Sequence, residues 1–506
     1  MFETAGNAAA YFVDRHAEGA RRDHPAFREA GGRGRTLTYG ELAQASARVG
    51  AMLARHGVAR EARVALLMLD TVDLPIAFWG AIKAGVVPVP LNTLLATDLY
   101  RAILEDSRAS ALIVSPELLS VVAPALGDIP VFVTGETPPP GRLSFSAELA
   151  ASEPRAPVPA SPDECAFWLY SSGSTGQPKG VRHAHASLRV TADTFGAQVL
   201  GIVPDDLVYS AAKLFFAYGL GNAMTFPMSV GATSVLYPGR PTPDAVFDIF
   251  ERFQPSVFCG VPTLYAACNA RLEAGARIAC RLRCCVSAGE ALPEEVGRKW
   301  RGYADCDILD GVGSTEMLHI FLSNRPGDVE YGTSGTAVPG YELRLVDEAG
   351  AEVAEGGIGE LLVKGDSAAL DYFGRRAQSR ATFEGAWTRT GDKYEKLSGG
   401  RYRYCGRTDD MFKVSGVWVA PFEVEQALIA HPSVLEAAVV ARRDGDGLEK
   451  PKAYVVLKPG AAGDVAALQE HVKTQVGMWK YPRWIEFRED LPKTATGKIQ
   501  RFKLRD

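Results

Sequence analysis

The sequence contains no run of about 18 uninterrupted apolar residues, so nothing in it reads as a membrane-spanning helix. The nearest approach, Leu74 to Leu91, is broken by Lys83 and by glycines and prolines. The start, Met1 to Ala10, lacks a basic segment followed by an apolar one, so no secretory signal is read there. None of the eight cysteines (165, 259, 268, 280, 284, 285, 306, 405) belongs to a Cys-x-x-Cys pair. That removes the common zinc and redox spacings and predicts buried thiols in a cytoplasmic protein. The adjacent Cys284 and Cys285 read as strand core. Positive charge is not in excess: the net charge is −5. No basic field is present to gather nucleic acid or an anionic membrane, and neither is expected as a partner. Internal repeats and low-complexity tracts are also missing.

What is present is a long globular chain. Its 506 residues exceed what one core usually holds, and 47% apolar with 23% charged residues suits a folded protein of two or more domains. Over the first ~400 residues helical and strand patterns alternate, which predicts an α/β fold. Thr38-x-x-Glu41 reads as a capping box, opening a helix with Leu42, Ala45, Val49 and Met52 at helical spacing. Strands are predicted at 64–68, 86–89, 112–114 and 131–133, and again at 207–210, 233–237, 257–259, 284–287 and 308–310. Between 336 and 363 the pattern turns to short strands (341–346, 359–363), as in a small β-rich subdomain. Beyond Gly406 it changes once more. Helices at 421–429 and 465–476 and strands at 434–440, 453–457 and 484–487 predict a compact α+β domain of about 100 residues.

The most telling stretch runs Tyr170-Ser171-Ser172-Gly173-Ser174-Thr175-Gly176-Gln177-Pro178-Lys179-Gly180, directly after the apolar Ala166-Phe167-Trp168-Leu169. A strand there delivers the chain into a Gly/Ser/Thr turn closed by a lysine. Phosphate binding needs these residue types: glycines let backbone N–H groups approach, hydroxyls add donors, and the lysine adds a charge. The spacing is not that of the P-loop NTPases, because Gly173 and Gly176 are only two residues apart and Lys179 follows a proline. Composition alone leaves a flexible polar turn as an equal alternative.

The whole string resembles the phosphate loop of the acyl-adenylate-forming superfamily, which includes acyl-CoA synthetases, luciferases and peptide-synthetase adenylation domains. Further motifs of that superfamily follow in its order, across essentially the whole chain. The stretch 287–292, with Ala288, Gly289 and Glu290, resembles the loop along the adenine. The stretch from Asp310 and Gly311 to Glu316 resembles the element whose Thr315 contacts the α-phosphate and whose Glu316 holds Mg²⁺, a hard cation suited to carboxylate and phosphate oxygens. Thr390-Gly391-Asp392 resembles the motif whose Asp392 accepts from the ribose hydroxyls. The stretch 406–413 resembles the hinge motif, in which Arg407 also reaches the ribose and Asp409 is the pivot. The stretch 492–498 resembles the segment bearing the catalytic Lys498. Read singly, Asp392 fits a turn, Lys498 a solvated basic tail, and Asp409-Asp410 a linker. Their joint order favours the resemblance. His183-x-His185 on a strand would face one side as a metal pair, but no third ligand is evident, and hydrogen-bonding or structural histidines are the favoured reading.

The resemblance implies two domains, 1–408 for adenylation and 409–506 as a mobile lid. ATP, Mg²⁺ and coenzyme A are the co-substrates. The carboxylate attacks the α-phosphorus of ATP and expels pyrophosphate; the CoA thiol then attacks the acyl-AMP. Between the two steps the lid rotates about Asp409, withdraws Lys498 and brings Ser415, Gly416 and Trp418 to a pantetheine channel. The acyl pocket is implied to lie between Phe216, Ala217, Tyr218 and Gly219 on one side and Gly313, His319 and Ile320 on the other. Acetate-using relatives have Trp where Gly313 stands, so this pocket is implied to be open beyond acetate. The stretches 213–222 and 313–324 resemble bacterial benzoate–CoA ligases, and a flat ring suits such a slot. An aromatic carboxylic acid is therefore the expected substrate. Hydroxy- and aminobenzoates and medium-chain acids stay open, because an apolar pocket discriminates poorly against one hydroxyl. A stand-alone carrier-loading enzyme and a luciferase-type monooxygenase are the alternatives. A non-catalytic sensor is disfavoured by the presence of Glu316 and Lys498. The family also admits a homodimer and a lysine acetyltransferase or deacetylase acting on Lys498.

Lys498→Ala is expected to abolish adenylation while sparing thioester formation from supplied acyl-AMP. Stopped-flow measurement of the two half-reactions checks this, and equal loss of both steps contradicts it.

Overall fold

The computed structural model describes residues 6–135, 137–172, 178–408, 410–414, 417–445, 447–493 and 499–505. Short apolar runs become buried strands, and two parallel sheets form the bulk of the molecule. The larger has nine strands. Its parallel run is Pro25–Glu29, Thr233–Leu236, Leu207–Ser210, Val257–Gly260, Cys284–Ser287 and Ile308–Gly313. Three of these, Thr233–Leu236, Val257–Gly260 and Cys284–Ser287, are buried at every position, as strands covered on both faces must be. Ile320–Ser323 and Thr336–Ala337 extend the sheet antiparallel at one edge. The second sheet runs Val87–Pro90, Arg63–Leu67, Ala109–Val114, Val131–Val133 and Leu143–Ser144, all parallel.

Helices Tyr39–Arg55 and Asp73–Lys83 pack against each other beside these sheets. The first opens on the capping box read from the sequence: Thr38 Oγ1 accepts the Glu41 N–H, and Glu41 reaches back to the Thr38 N–H. The second, with Val87–Pro90, absorbs the apolar stretch 74–91 into the core. No described helix is long and apolar enough to cross a membrane. All eight cysteines are free, and Cys284 and Cys285 are strand core.

The small β-rich part is a five-stranded sheet of Glu342–Val346, Ile358–Lys364, Phe383–Glu384, Trp387–Lys396 and Tyr402–Arg407. A separate three-stranded sheet, Cys165–Ser172, Pro178–Ala184 and Asp371–Tyr372, carries the arms of the predicted phosphate loop. Toward the C-terminus, Pro421–Ile429 and Val465–Val476 are helical with the predicted bounds. They cover the sheet Val434–Arg443, Glu449–Leu457 and Trp484–Phe487. Val424, Leu428, Val439, Val455, Leu468 and Val472 form a core of their own there.

The contact between the first two long helices is set by glycine. A Cβ on Gly80 would lie 2.4 Å from Val49 and 2.8 Å from the Ser46 carbonyl oxygen. Gly80→Val is therefore expected to overpack this interface and destabilise the fold by about 3 kcal/mol, seen as a lowered thermal midpoint.

Candidate active site

The hairpin strands place Ser171 opposite Lys179. Residues 173–177, and with them the predicted Gly173, Ser174, Thr175 and Gly176, lie outside the described residues, as do the Ser172 side chain, Asp409, Ser415, Gly416, the Trp418 side chain and Lys498. The Ser171 hydroxyl is buried and has no hydrogen-bond partner among the described residues. Pairing of Asp371–Tyr372 with the Lys179-bearing strand is closed by a bidentate Arg182–Asp371 contact, 2.6 Å on both arms.

That pairing brings Tyr372 to Lys179 and Glu316. Lys179 Nζ donates to the Tyr372 hydroxyl at 2.7 Å, and the hydroxyl donates to Glu316 Oε1 at 2.7 Å. The third side, Lys179 Nζ to Glu316 Oε1, is 3.2 Å. Burial pushes the Glu316 pKa up, but the Lys179 charge and the Tyr372 hydrogen bond outweigh it and hold the carboxyl below its ordinary value. Burial and the Glu316 charge push the Tyr372 phenol well up, so it stays a donor. The carboxylate is thus kept ionised where phosphate oxygens and a hard cation would need it, and the donor chemistry fits Mg²⁺. Tyr372 was not singled out in the sequence. Only its pairing with a strand about 190 residues earlier gives it a role.

Asp392 and Arg407 face each other on the neighbouring strands Trp387–Lys396 and Tyr402–Arg407. Arg407 Nη1 donates to Asp392 Oδ1 at 3.1 Å and to the Thr390 carbonyl at 3.2 Å. Gly391 (φ 71°) lets the chain turn beneath the guanidinium. Arg407 also acts electrostatically on Tyr372, which links this pair to the Glu316 network.

Ser287 and Asp310 are register partners at the ends of two parallel strands. The Ser287 hydroxyl and Asp310 Oδ1 are buried without partners among the described residues. Burial pushes the Asp310 carboxyl well above the usual range, and a Leu292 backbone N–H offsets part of this. Next to them Ala288 is buried, Gly289 turns with φ 96°, and Glu290 is partly exposed. Gly311 meets Ile320: a Cβ there would come within 2.9 Å of it.

The chain then makes one tight turn from Gly313 to Ile320. Ser314 Oγ accepts the Met317 N–H, the Leu318 N–H donates to the Thr315 carbonyl, and Leu318 sits in the left-handed region at φ 65°. Glu316 and His319 come from this one turn. His319 is buried among Phe226, Phe195 and Tyr218, with ring centroids at 4.5, 5.2 and 5.8 Å. Its Nε2 donates to the Tyr218 carbonyl at 3.3 Å, and Nδ1 is left as a buried acceptor without a partner among the described residues. Burial lowers its pKa to about 3, so the ring is neutral. Phe216, Ala217 and Tyr218 lead into the helix Ala217–Leu220, and the Tyr218 hydroxyl faces the Gly260 and Val286 carbonyls at 3.0 and 3.1 Å. The π-helical turn Gly221–Thr225 follows, and a Cβ on Gly221 would strike His319. Gly313 is exposed at the rim and Ile320 is buried.

The metal-pair geometry for His183 and His185 does not form. The strand ends at Ala184 and His185 opens a helix, so the two rings do not share a strand face. His185 Nδ1 accepts the Ala8 N–H, while His183 stacks on Phe167 at 5.0 Å with the Thr315 backbone and Glu316 as polar neighbours. No group of three or more metal-ligating side chains occurs among the described residues. Two surface hollows of 420 and 560 Å³, beside Tyr331 and beside Trp387, include none of the predicted residues.

The hairpin Cys165–Ser172/Pro178–Ala184, the lysine-held Glu316 and the Asp392–Arg407 pair stand on the two-sheet fold of an adenylate-forming enzyme, and the chain belongs to the AMP-binding enzyme family. The family model matches residues 13–373, and the model of the AMP-binding enzyme C-terminal domain matches 423–498. Within the family the chain is an AMP-forming acid–CoA ligase. It is 54% identical to the 4-hydroxybenzoate–CoA/benzoate–CoA ligase of Rhodopseudomonas palustris, over 99% of this chain and 94% of that protein. It is 55% identical to the benzoate–CoA ligase of Thauera aromatica, over 93% of this chain and 90% of that one. Its structure matches the crystal structure of a benzoate CoA ligase from Burkholderia xenovorans LB400 with a TM-score of 0.92, 48% identity, and 99% and 100% of the two chains covered.

Tyr372→Phe removes a donor from Glu316 and leaves the Lys179 ion pair. The Glu316 pKa is expected to rise, moving the acid limb of the pH–rate profile to higher pH and slowing adenylation by about ten-fold. An unchanged limb in pyrophosphate-release kinetics contradicts this.

Proposed function

We propose that this chain is an ATP-dependent benzoate–CoA ligase. It joins benzoate, ATP and CoA to give benzoyl-CoA, AMP and pyrophosphate through a benzoyl-adenylate. The observation that carries this reading is the single turn 313–320, which points Glu316 into the Lys179–Tyr372 network and buries His319 in an aromatic cluster. This supports a phosphate site adjoining an aryl site, as attack of a carboxylate on the α-phosphorus requires. The relatives named above support the choice of acid.

In this reading Thr315, Ser171, the 173–177 loop, Lys179 and Lys498 meet the charge that spreads over the phosphate oxygens. Glu316 would hold Mg²⁺, which would supply positive charge for the phosphate oxygens and the pyrophosphate leaving group. Asp392 and Arg407 hold the ribose, and 288–290 with Asp310 and Gly311 hold the adenine. Phe216 to Gly219, Gly313, His319 and Ile320 line the ring slot. Residues 1–408 form the adenylation domain and 409–506 a lid that turns about Asp409, with Ser415, Gly416 and Trp418 on the CoA path. A cytoplasmic enzyme, a homodimer and acetylation at Lys498 complete the proposal.

A second reading is favoured by one observation. The His319 Nδ1 acceptor, buried and unpartnered among the described residues, would take a hydrogen bond from a ring hydroxyl or amino group, which admits hydroxy- and aminobenzoates.

Pyrophosphate release with ATP and Mg²⁺, with and without CoA, tests both readings over benzoates, phenylacetate, cinnamates and aliphatic acids. CoA-dependent turnover peaking on benzoate is expected. A peak on a hydroxy- or aminobenzoate favours the second reading, and a peak on aliphatic acids overturns the aryl pocket.

A further inference from the structure

The segment that leads into the proposed aryl wall starts at Lys213, whose side chain is held by the Tyr237–Gly239 segment. Its ammonium donates to the Tyr237 carbonyl and, at 2.7 Å, to the Gly239 carbonyl, and it lies over the Tyr237 ring. On the other side is Asp70, in the bend between the strand Arg63–Leu67 and the helix Asp73–Lys83. Asp70 is only 4% exposed. Both its oxygens accept the Leu214 N–H, at 3.3 Å each. Burial pushes the Asp70 carboxyl up and the Lys213 ammonium down, and each charge opposes the other's shift. Neither residue belongs to the phosphate, ribose or adenine sites.

The backbone at Lys213 is rigidly coupled to the wall. Its carbonyl accepts the Phe216 N–H at 3.0 Å. The helix Ala217–Leu220 folds back so closely that a Cβ on Gly219 would lie 2.1 Å from that same oxygen. At the far end the Tyr218 hydroxyl faces the Gly260 and Val286 carbonyls. The wall is thus held at two points, by neutral hydrogen bonds at Tyr218 and by two buried charges at its origin. Buried charge is a poor source of stability compared with apolar packing, but removing one of two neighbouring opposite charges leaves the other uncompensated. Such a pair suits a place where position matters.

We propose that Asp70, through the Leu214 N–H, and Lys213, through the Tyr237 and Gly239 carbonyls, form a buried two-point clamp that positions the 214–219 wall and thereby sets the affinity for the carboxylic acid substrate, without touching it. The proposal rests on the reading of that wall as the acyl pocket. Both are positioning residues, so their loss is expected to act on the acid and not on the nucleotide.

Asp70→Asn keeps the shape and removes the charge. The KM for benzoate is expected to rise about ten-fold or more, with the KM for ATP changed less than about two-fold. Lys213→Met is expected to shift the same parameter. Should it fail to fold because the Asp70 charge is left uncompensated, the double variant Asp70→Asn/Lys213→Met removes both charges, and it is expected to fold and keep the raised KM. A KM for the acid that stays at the wild-type value in folded variants overturns the clamp, as does an equal rise for acid and ATP. The wild-type acid panel is measured first. If an aliphatic acid is preferred, the benzoate reading falls, and the KM for that acid then tests the clamp separately.

Discussion

Glu316 is the constraint around which the site is arranged. A carboxylate drawn out of water must be matched by a cation and donors or it neutralises. Here the match comes from Lys179 on a hairpin strand and from Tyr372 on a short strand paired to that hairpin. Three distant parts of the chain therefore have to meet. Backbone bonds repeat the requirement: the Ala369 N–H donates to the Glu316 carbonyl, Leu370 to Arg182, and Phe373 to Gly180. The segment 369–373 is in effect a strap across the phosphate hairpin and the Glu316 turn.

Parallel strand pairing supplies the other half of the geometry. Cys284–Ser287 and Ile308–Gly313 run side by side, so their C-terminal ends open into one crevice, the usual ligand-binding edge of an open α/β sheet. The adenine-type loop at 288–290 and the turn at 313–320 both leave from there. That turn carries both the lysine-held Glu316 and the aromatic-packed His319 on one short piece of backbone. The left-handed Leu318 is the local strain that so tight a turn costs.

Around His319 the packing is neutral. The ring is uncharged, sits among Phe195, Tyr218 and Phe226, and is hydrogen-bonded through Nε2 to the Tyr218 carbonyl, while Nδ1 has no partner among the described residues. The nearby buried charges, Asp70 and Lys213, bond to the Leu214 N–H and to the Tyr237 and Gly239 carbonyls instead.

Much of this was legible in the residues alone. The Thr38–Glu41 capping box, the helices Pro421–Ile429 and Val465–Val476 and the strand Cys284–Ser287 have local causes: a cap, a helical period, a short apolar run. The ordered motifs from Ser171 to Lys179, Glu316, Asp392 and Arg407 identified the family, since phosphate and ribose recognition use fixed residue types at fixed local spacing. Tyr372, the Asp70–Leu214 contact and the separate fates of His183 and His185 were not legible. Each depends on which strand lies beside which, and on where a strand stops, over separations of more than a hundred residues in the first two cases. Periodicity encodes which face of an element is buried, but not what it is buried against; only the closed tertiary structure decides whether a buried polar group finds its partner.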